Sequence, residues 1–179
     1  MIVFASRKEL IRALYQKKRF GRMLYVGSAL RMPTDYLKIK KMARRIDCLE
    51  IWPPTVEVLK ARKLYHSVIC GDIADYEISE WYDIVVWWHG PEHMEMDRAR
   101  KTIIRLRETA PIVWLATPWG DDPQGGIFDN PFNAHKSAWR PKEFEECGYR
   151  TAVCGIENGH GSQCVAWYPP EQVDETQFS

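Results

Sequence analysis

Two histidines four positions apart, in His89-Gly-Pro-Glu-His93, and a third at His135 carry the side chains best suited to proton transfer or metal binding. Pro91 lies between the first two and opposes the regular helix that would bring i and i+4 ligands together. The order is also not His-Glu-x-x-His, so the pattern predicts no metal site. His93 is instead expected to pack near a crevice or bond to backbone, with His89 at the crevice mouth. His135 is the candidate general base, because imidazole titrates near neutral pH and this residue falls in a long loop-forming stretch; a structural or substrate-binding part is its alternative. Glu50 and Asp72 each follow an apolar run, and their plain alternatives are an ion pair with Arg44 or Arg45 and a turn cap after Gly71. Asp121 and Asp122 read equally as solvated turn residues or as catalysts. Trp119 and Trp139 either wall a substrate site or pack at the base of the loop.

The elements that must position these residues follow from periodicity. Ser6-x-x-Glu9 has capping-box spacing, with Leu10, Ile11 and Leu14 at helical intervals, and predicts a helix over 6–19. Met23-Leu-Tyr-Val-Gly27 is a brief apolar run ending in a turn. Thr34 or Asp35 can cap a helix carrying Tyr36, Ile39, Ala43 and Ile46 on one side. Ile46 to Ile51 reads as a strand, and Pro53-Pro54 opens a helix from Thr55 to Tyr65. Ser67 to Cys70 and Asp83 to Trp88 are strands, the latter apolar throughout as a strand covered on both faces should be. A helix runs from about Met96 to Arg107, with Ala99, Ile103 and Leu106 on one face, before a strand from Ile112 to Ala116. The segment from Thr117 to Arg140 is a long loop rich in Pro, Gly, Asp and Asn, and loops of that length usually carry function. A helix over Pro141 to Cys147 and strands Tyr149 to Gly155 and Gln163 to Tyr168 complete the chain. Glu157-Asn-Gly-His-Gly161 joins the last two as an antiparallel hairpin.

Five β-α alternations and a terminal hairpin define the expected fold class. It is α/β, a doubly wound Rossmann-like three-layer sandwich, with a mostly parallel sheet and an antiparallel C-terminal strand. In such a sheet a ligand binds at the carboxyl ends of the strands near the topological switch point, so the loops after Gly27, Glu50, Asp72 and Trp88 should converge. The 179 residues suit one domain, with a core over about 22–168 and a tail over 169–179.

Apolar runs such as Ile84 to Trp88 fall far short of the roughly 18 residues of a membrane helix. Met1 to Ala5 is too short an apolar stretch for a secretory signal, so a cytoplasmic location is expected. Five cysteines without a C-x-x-C pair read as reduced thiols, mostly buried. Charge is segregated: Met1 to Tyr65 holds 16 Lys/Arg and 5 Asp/Glu, the remainder 9 and 19. Such a basic face can attract nucleic acid, remain solvated, or dock the acidic face of another copy in a homo-oligomer.

The order and spacing of these segments resemble the class I S-adenosylmethionine-dependent methyltransferases over roughly Arg22 to Tyr168. Glu50 lies 23 positions beyond Gly27, where the resemblance implies a carboxylate accepting from the cofactor ribose. Gly71-Asp72-Ile73 resembles the family segment in which Asp meets the adenine amine and the next residue packs on the ring. Asp83 to His93 is similar to the fourth-strand segment that ends in Glu-His. Thr117-Pro-Trp-Gly120, Asn130-Pro131, His135, Ser137, Trp139 and Glu143-Phe-x-x-Cys-Gly-Tyr149 look like the back half of small-molecule or glycan methyltransferases. The resemblance implies a cofactor site of Gly27, Ser28, Ala29, Arg31, Glu50, Ile51, Asp72, Ile73, Trp88 and His89. His93, Trp119 and Trp139 would contact the acceptor, and His135 would take its proton.

The glycine-rich turn departs from the family pattern: Tyr25-Val-Gly27-Ser-Ala29-Leu-Arg31 keeps only the first glycine. Either Arg31 meets the methionine carboxylate with its planar fork, or the pocket no longer holds this cofactor. Methyl transfer to a small molecule or glycan is the leading expectation. The alternatives are a nucleic-acid methyltransferase using the basic face and a non-catalytic binding or assembly domain on the same fold.

Overall fold

The computed structural model describes residues 2–4, 19–28, 41–127, 129–155 and 162–169. The strands are β1 (Ile2–Phe4), β2 (Phe20–Val26), β3 (Ala43–Glu50), β4 (Ser67–Cys70), β5 (Ile84–Trp88), β6 (Val113–Pro118), β7 (Arg150–Cys154) and β8 (Gln163–Tyr168). The helices are α1 (Pro53–Arg62), α2 (Met96–Thr109) and α3 (Pro141–Glu145), with single 3-10 turns at Pro91–His93 and Pro131–Asn133. All eight strands form one sheet in the order β1-β7-β8-β6-β5-β2-β3-β4. Only β8 runs antiparallel to its neighbours. The winding starts at β2, proceeds outward through β3 and β4, and resumes on the other side with β5 and β6. The switch point therefore lies between β2 and β5.

The central strands are buried on both faces, and their side chains sort by the two-residue period of a pleated strand. Leu24, Val26, Val85, Trp87, Val113 and Leu115 face one cluster, where α2 contributes Ala99, Ile103 and Leu106 and α3 contributes Phe144. Met23, Tyr25, Ile84, Val86, Trp114 and Ala116 face the other, with Met42 and Trp167. Among the described residues no helix is long and apolar enough to cross a membrane.

Two expectations are corrected. Ala43 and Ile46 belong to β3, not to a helix: Phe20 pairs with Ala43 and Met23 with Ile46. Helical spacing of apolar residues there coincided with strand alternation, and pairing with β2 decided between them. β1 was not foreseen, because three residues hold too little pattern; it forms by parallel pairing with β7, far along the chain. The helix expected over 6–19, apart from its last residue, the Thr34 or Asp35 cap, the Glu157 to Gly161 link and the 170–179 part of the tail lie outside the described residues.

At the amino end of the sheet one buried carboxylate organises its surroundings. Asp47 is fully buried on β3. It accepts from Arg22 Nε at 3.0 Å and Nη2 at 2.8 Å, from Arg45 Nε at 3.2 Å and from the Tyr82 hydroxyl at 3.2 Å. Arg22 also pairs with Glu80 and lies over the Tyr82 ring at 4.7 Å. Burial, then the nearby Asp47 charge, pushes the Tyr82 phenol up to about 12.

Asp47→Ala should lower the unfolding free energy by about 2 to 3 kcal/mol, below the roughly 3 to 5 kcal/mol of breaking a fully buried pair, because Arg22 retains Glu80 and solvent. Urea denaturation measures this, and a loss under about 0.5 kcal/mol would show that the pairing does not hold β2 to β3. Cys48, Cys147, Cys154 and Cys164 are buried, outside any disulfide, and Cys70 is exposed. Burial raises the Cys48 and Cys147 thiols and pushes Cys164 up to about 12. A thiol reagent at neutral pH should therefore modify one cysteine in the native protein and five after denaturation; mass spectrometry should find the native adduct on Cys70.

Candidate active site

The carboxyl ends of β2, β3 and β4 are joined by backbone hydrogen bonds between their turns. Gly27 N donates to Leu49 O at 2.9 Å, and Gly71 N donates to Glu50 O at 3.0 Å. Gly27 sits at φ +68°, the left-handed region that glycine enters without a Cβ penalty. On the other side of the switch point, His89 N donates to Ala116 O at 2.8 Å, placing the end of β5 beside β6. The structure thus brings Gly27, Glu50, Asp72, Trp88 and His89 to one end of the sheet.

Their local roles differ. Glu50 is buried at the last position of β3, and its Oε1 accepts from Trp52 N at 3.1 Å. Asp72 Oδ1 accepts from Ala74 N at 2.9 Å, a turn cap, and Oδ2 pairs with Arg98 Nη2 at 3.0 Å. Ser28 is buried, its hydroxyl 2.5 Å from that of Tyr65. Ile51, Trp88 and His89 are partly exposed. Ile73 is corrected: it is 3% exposed and packs within the α2-side core, so it offers no surface to a ring. Ala29 and Arg31 lie outside the described residues.

Past β5 the chain turns at Gly90-Pro91 and buries Glu92, which is 2% exposed. Gln163 Nε2 stands 2.8 Å from His89 Nε2, and the amide nitrogen can only donate, so the His89 proton belongs on Nδ1. That Nδ1 donates to Glu92 Oε1 at 3.3 Å. Glu92 Oε2 is buried and has no hydrogen-bond partner among the described residues. His93 Nδ1 lies 3.2 Å from Ala134 O, and His135 Nδ1 bonds to Asp122 O. Carbonyl oxygens only accept, so both rings carry a proton on Nδ1, and in the neutral tautomer this selects, Nε2 is the nitrogen with a lone pair. The two rings are 4.9 Å apart at their centroids. Burial, partly offset by the Glu92 charge, lowers the His93 pKa below the ordinary imidazole value.

The 117–140 loop reaches this turn through its backbone. Glu92 O accepts from Lys136 N at 2.7 Å and Ser137 N at 3.2 Å, and His135 N donates to Gln124 O at 2.8 Å. Sequence reasoning weighed His89 and His93 as a pair and left Glu92 aside. The grouping that forms is Glu92, His93 and His135, whose ligand-type atoms lie within 4.8 Å of one another. The Glu-His dipeptide was the visible signal; the third member comes from a distant loop.

Trp139 is also corrected. It is fully buried, its Nε1 donates to Ser137 Oγ at 2.9 Å, and its ring lies 4.4 Å from Phe144. It is a core anchor of the loop and cannot touch an acceptor in this arrangement. Trp119 is 42% exposed beside it.

No protein-family model and no curated protein sequence matches the chain. Solved structures do match. The N-methyltransferase NodS from Bradyrhizobium japonicum aligns over 89% of this chain and 91% of its own, with a TM-score of 0.64 and 13% identity. DhpI in complex with SAH aligns over 93% of this chain and 83% of its own, with a TM-score of 0.67 and 17% identity. A SAM-bound amino pentose methyltransferase from Micromonospora echinaspora aligns over 89% and 87%, with a TM-score of 0.62 and 12% identity. The chain has the fold of these S-adenosylmethionine-dependent methyltransferases.

Trp87 is packed between the two turns of the site. A Cβ on Gly90 would lie 1.6 Å from Trp87 Nε1, whereas one on Gly27 would lie 3.9 Å from it. Gly90→Ala should cost more than about 2 kcal/mol of stability by displacing a packed indole, and Gly27→Ala about 1 to 2 kcal/mol through its backbone conformation alone. Thermal unfolding of the two variants checks the order; the reverse order would mean that Trp87 does not fill the space between the turns.

Proposed function

We propose that this chain is a methyltransferase that binds S-adenosylmethionine across the carboxyl ends of β2 to β5 and transfers the methyl group to a small-molecule or glycan acceptor. The observation that carries the reading is the stitching of the Gly27, Glu50 and Asp72 turns at the switch point of a fold shared with SAM-bound and SAH-bound enzymes. Gly27 and Ser28, with Ala29 and Arg31 from the sequence, would border the methionine end. Glu50 would accept from the ribose diol, with Ile51 beside it, and Asp72 would accept from the adenine amine. Trp88 and His89 would close the crevice toward the acceptor.

The transfer asks little of the protein beyond placement and proton removal. The acceptor attacks the methyl carbon in line with the breaking carbon–sulfur bond, and the thioether leaves without an acid. The acceptor must lose its proton before or during attack. His135, grouped with Glu92 and His93, would take that proton, and the exposed Trp119 would border the acceptor. The excess of Lys/Arg in Met1 to Tyr65 favours one second reading, a nucleic-acid acceptor. That reading requires acceptor binding that weakens steeply with salt.

Calorimetric titration with S-adenosylmethionine and S-adenosylhomocysteine at low and physiological salt tests the cofactor assignment. Dissociation constants on the order of micromolar are expected, about −8 kcal/mol. Glu50→Ala should weaken binding about 10-fold to 100-fold, as the loss of one or two hydrogen bonds to a charged group requires. Circular dichroism and the isosteric Glu50→Gln separate this from loss of the Trp52 N–H bond. No binding of either nucleoside by the folded protein would leave a methyltransferase fold serving as a binding or assembly domain.

A further inference from the structure

We propose that Glu92, His93 and His135 hold a divalent cation of the Mn²⁺, Fe²⁺, Co²⁺ or Zn²⁺ class, with open positions that receive an acceptor hydroxyl. The inference rests on the methyl-transfer reading for the use of the ion, but the site itself stands on the geometry of the three side chains.

The first ground is the donor set. The three residues offer one carboxylate oxygen and two imidazole nitrogens within 4.8 Å of one another. His93 Nε2 is already 4.0 Å from Glu92 Oε1. Metal–ligand distances of about 2.0 to 2.2 Å put neighbouring ligand atoms roughly 3 to 3.5 Å apart, so the pairs need to close by about 0.5 to 1.8 Å around an ion. Imidazole with a carboxylate selects borderline divalent metals over the all-oxygen sites of Ca²⁺ and Mg²⁺.

The second ground is how the ligands are held. A histidine ligand presents one nitrogen to the metal while the other donates to a fixed oxygen, which sets the tautomer and the ring plane. His93 and His135 do this through Ala134 O and Asp122 O, and both acceptors are backbone carbonyls of the same loop. Glu92 is oriented in turn by the His89 Nδ1 donor, itself set by Gln163.

The third ground is Glu92 Oε2. It is a buried oxygen with no hydrogen-bond partner among the described residues, on a side chain whose exposure is 3%. A carboxylate oxygen removed from water without a donor costs free energy that a coordinated cation offsets. The His89 contact engages Oε1 alone and leaves Oε2 without a partner among the described residues.

The ion gives the proton-removal step a definite form. An acceptor hydroxyl bound at an open position becomes more acidic, as water does on Zn²⁺. Its proton leaves to solvent, the new oxygen–carbon bond forms as the carbon–sulfur bond of the sulfonium breaks, and the electron pair stays on sulfur. The products are a methyl ether, S-adenosylhomocysteine and one proton. His135 then acts as a ligand, and the acceptor is an alcohol or sugar hydroxyl.

Full-length protein stripped with a chelator and titrated with Co²⁺ alone tests the site through the visible bands of the bound ion. One equivalent should bind, with Zn²⁺ competing, and His135→Ala should weaken binding by about 100-fold or more, at least the loss known for outer-shell partners. Asp121→Ala, an exposed acid outside the cluster, should leave it unchanged. His93→Gln provides a second ligand variant if His135→Ala alters the far-ultraviolet spectrum. Absence of a Co²⁺ spectrum, or binding equal in wild type and both ligand variants, overturns the proposal. Titrating S-adenosylhomocysteine into the metal-free protein separates the two readings. Nucleoside binding without Co²⁺ binding removes the metal site and leaves the methyltransferase; Co²⁺ binding without nucleoside binding does the reverse.

Discussion

The carbonyl of Glu92 receives two backbone N–H groups from the 117–140 loop, those of Lys136 and Ser137, and the arrangement of the site depends on that junction. Backbone hydrogen bonds fix direction as well as distance, so a loop bonded at Glu92 O must present His135 to the turn that carries His93. A second anchor follows within a few residues, where the fully buried Trp139 packs against Phe144 and its carbonyl receives Gly120 N at 2.6 Å. A loop held at both points has little freedom left where His135 sits. This explains how a long segment with scarcely any regular structure contributes to a cluster of three side chains.

The two ends of the sheet divide the work. At the amino end, Asp47 gathers Arg22, Arg45 and Tyr82 into a polar network that closes the base of β2, β3 and the approach to β5. At the carboxyl end, the polar groups sit in turns: Glu50 accepts from the backbone N–H of Trp52, and Glu92 keeps an oxygen without a hydrogen bond among the described residues. A sheet covered on both faces transmits little flexibility between its ends. Stability can therefore be supplied at one end while incompletely matched groups are kept at the other.

What was legible in the sequence tracks how local the determining interaction is. Ser67–Cys70 and Gln163–Tyr168 are bounded by turn residues and were read with their observed limits, and β5 announced itself by a run of apolar residues too short for a helix. The helix expected through Ala43 and Ile46 failed because a few apolar residues satisfy both periods, and only pairing with β2 selects the strand. The turn glycine and the carboxylates at strand ends were visible as spacing. Whether a side chain at such a position faces the crevice or the core was not: Ile73 and Trp139 both turned inward. The assembly of Glu92, His93 and His135 was beyond spacing altogether, since Pro91 rightly argued against a helical His89 and His93 pair while a single 3-10 turn brought forward the carboxylate between them.

One side chain links the two halves of the proposed reaction. Trp87 leaves β5 buried, with its indole nitrogen against the Gly90 turn and within contact range of the Gly27 turn. Gly90 leads directly through Pro91 to Glu92, so the spacing between the turn expected to hold the methyl donor and the cluster expected to hold the acceptor is set by one rigid ring. In-line transfer tolerates little error, because reacting atoms must approach to about 3 to 3.5 Å along one axis. A flexible spacer would leave that approach to chance encounters of two loops. An indole packed on both sides, with no room for a methyl group at Gly90, instead makes the spacing a property of the core, and the steric demand for glycine at that position follows from the same requirement.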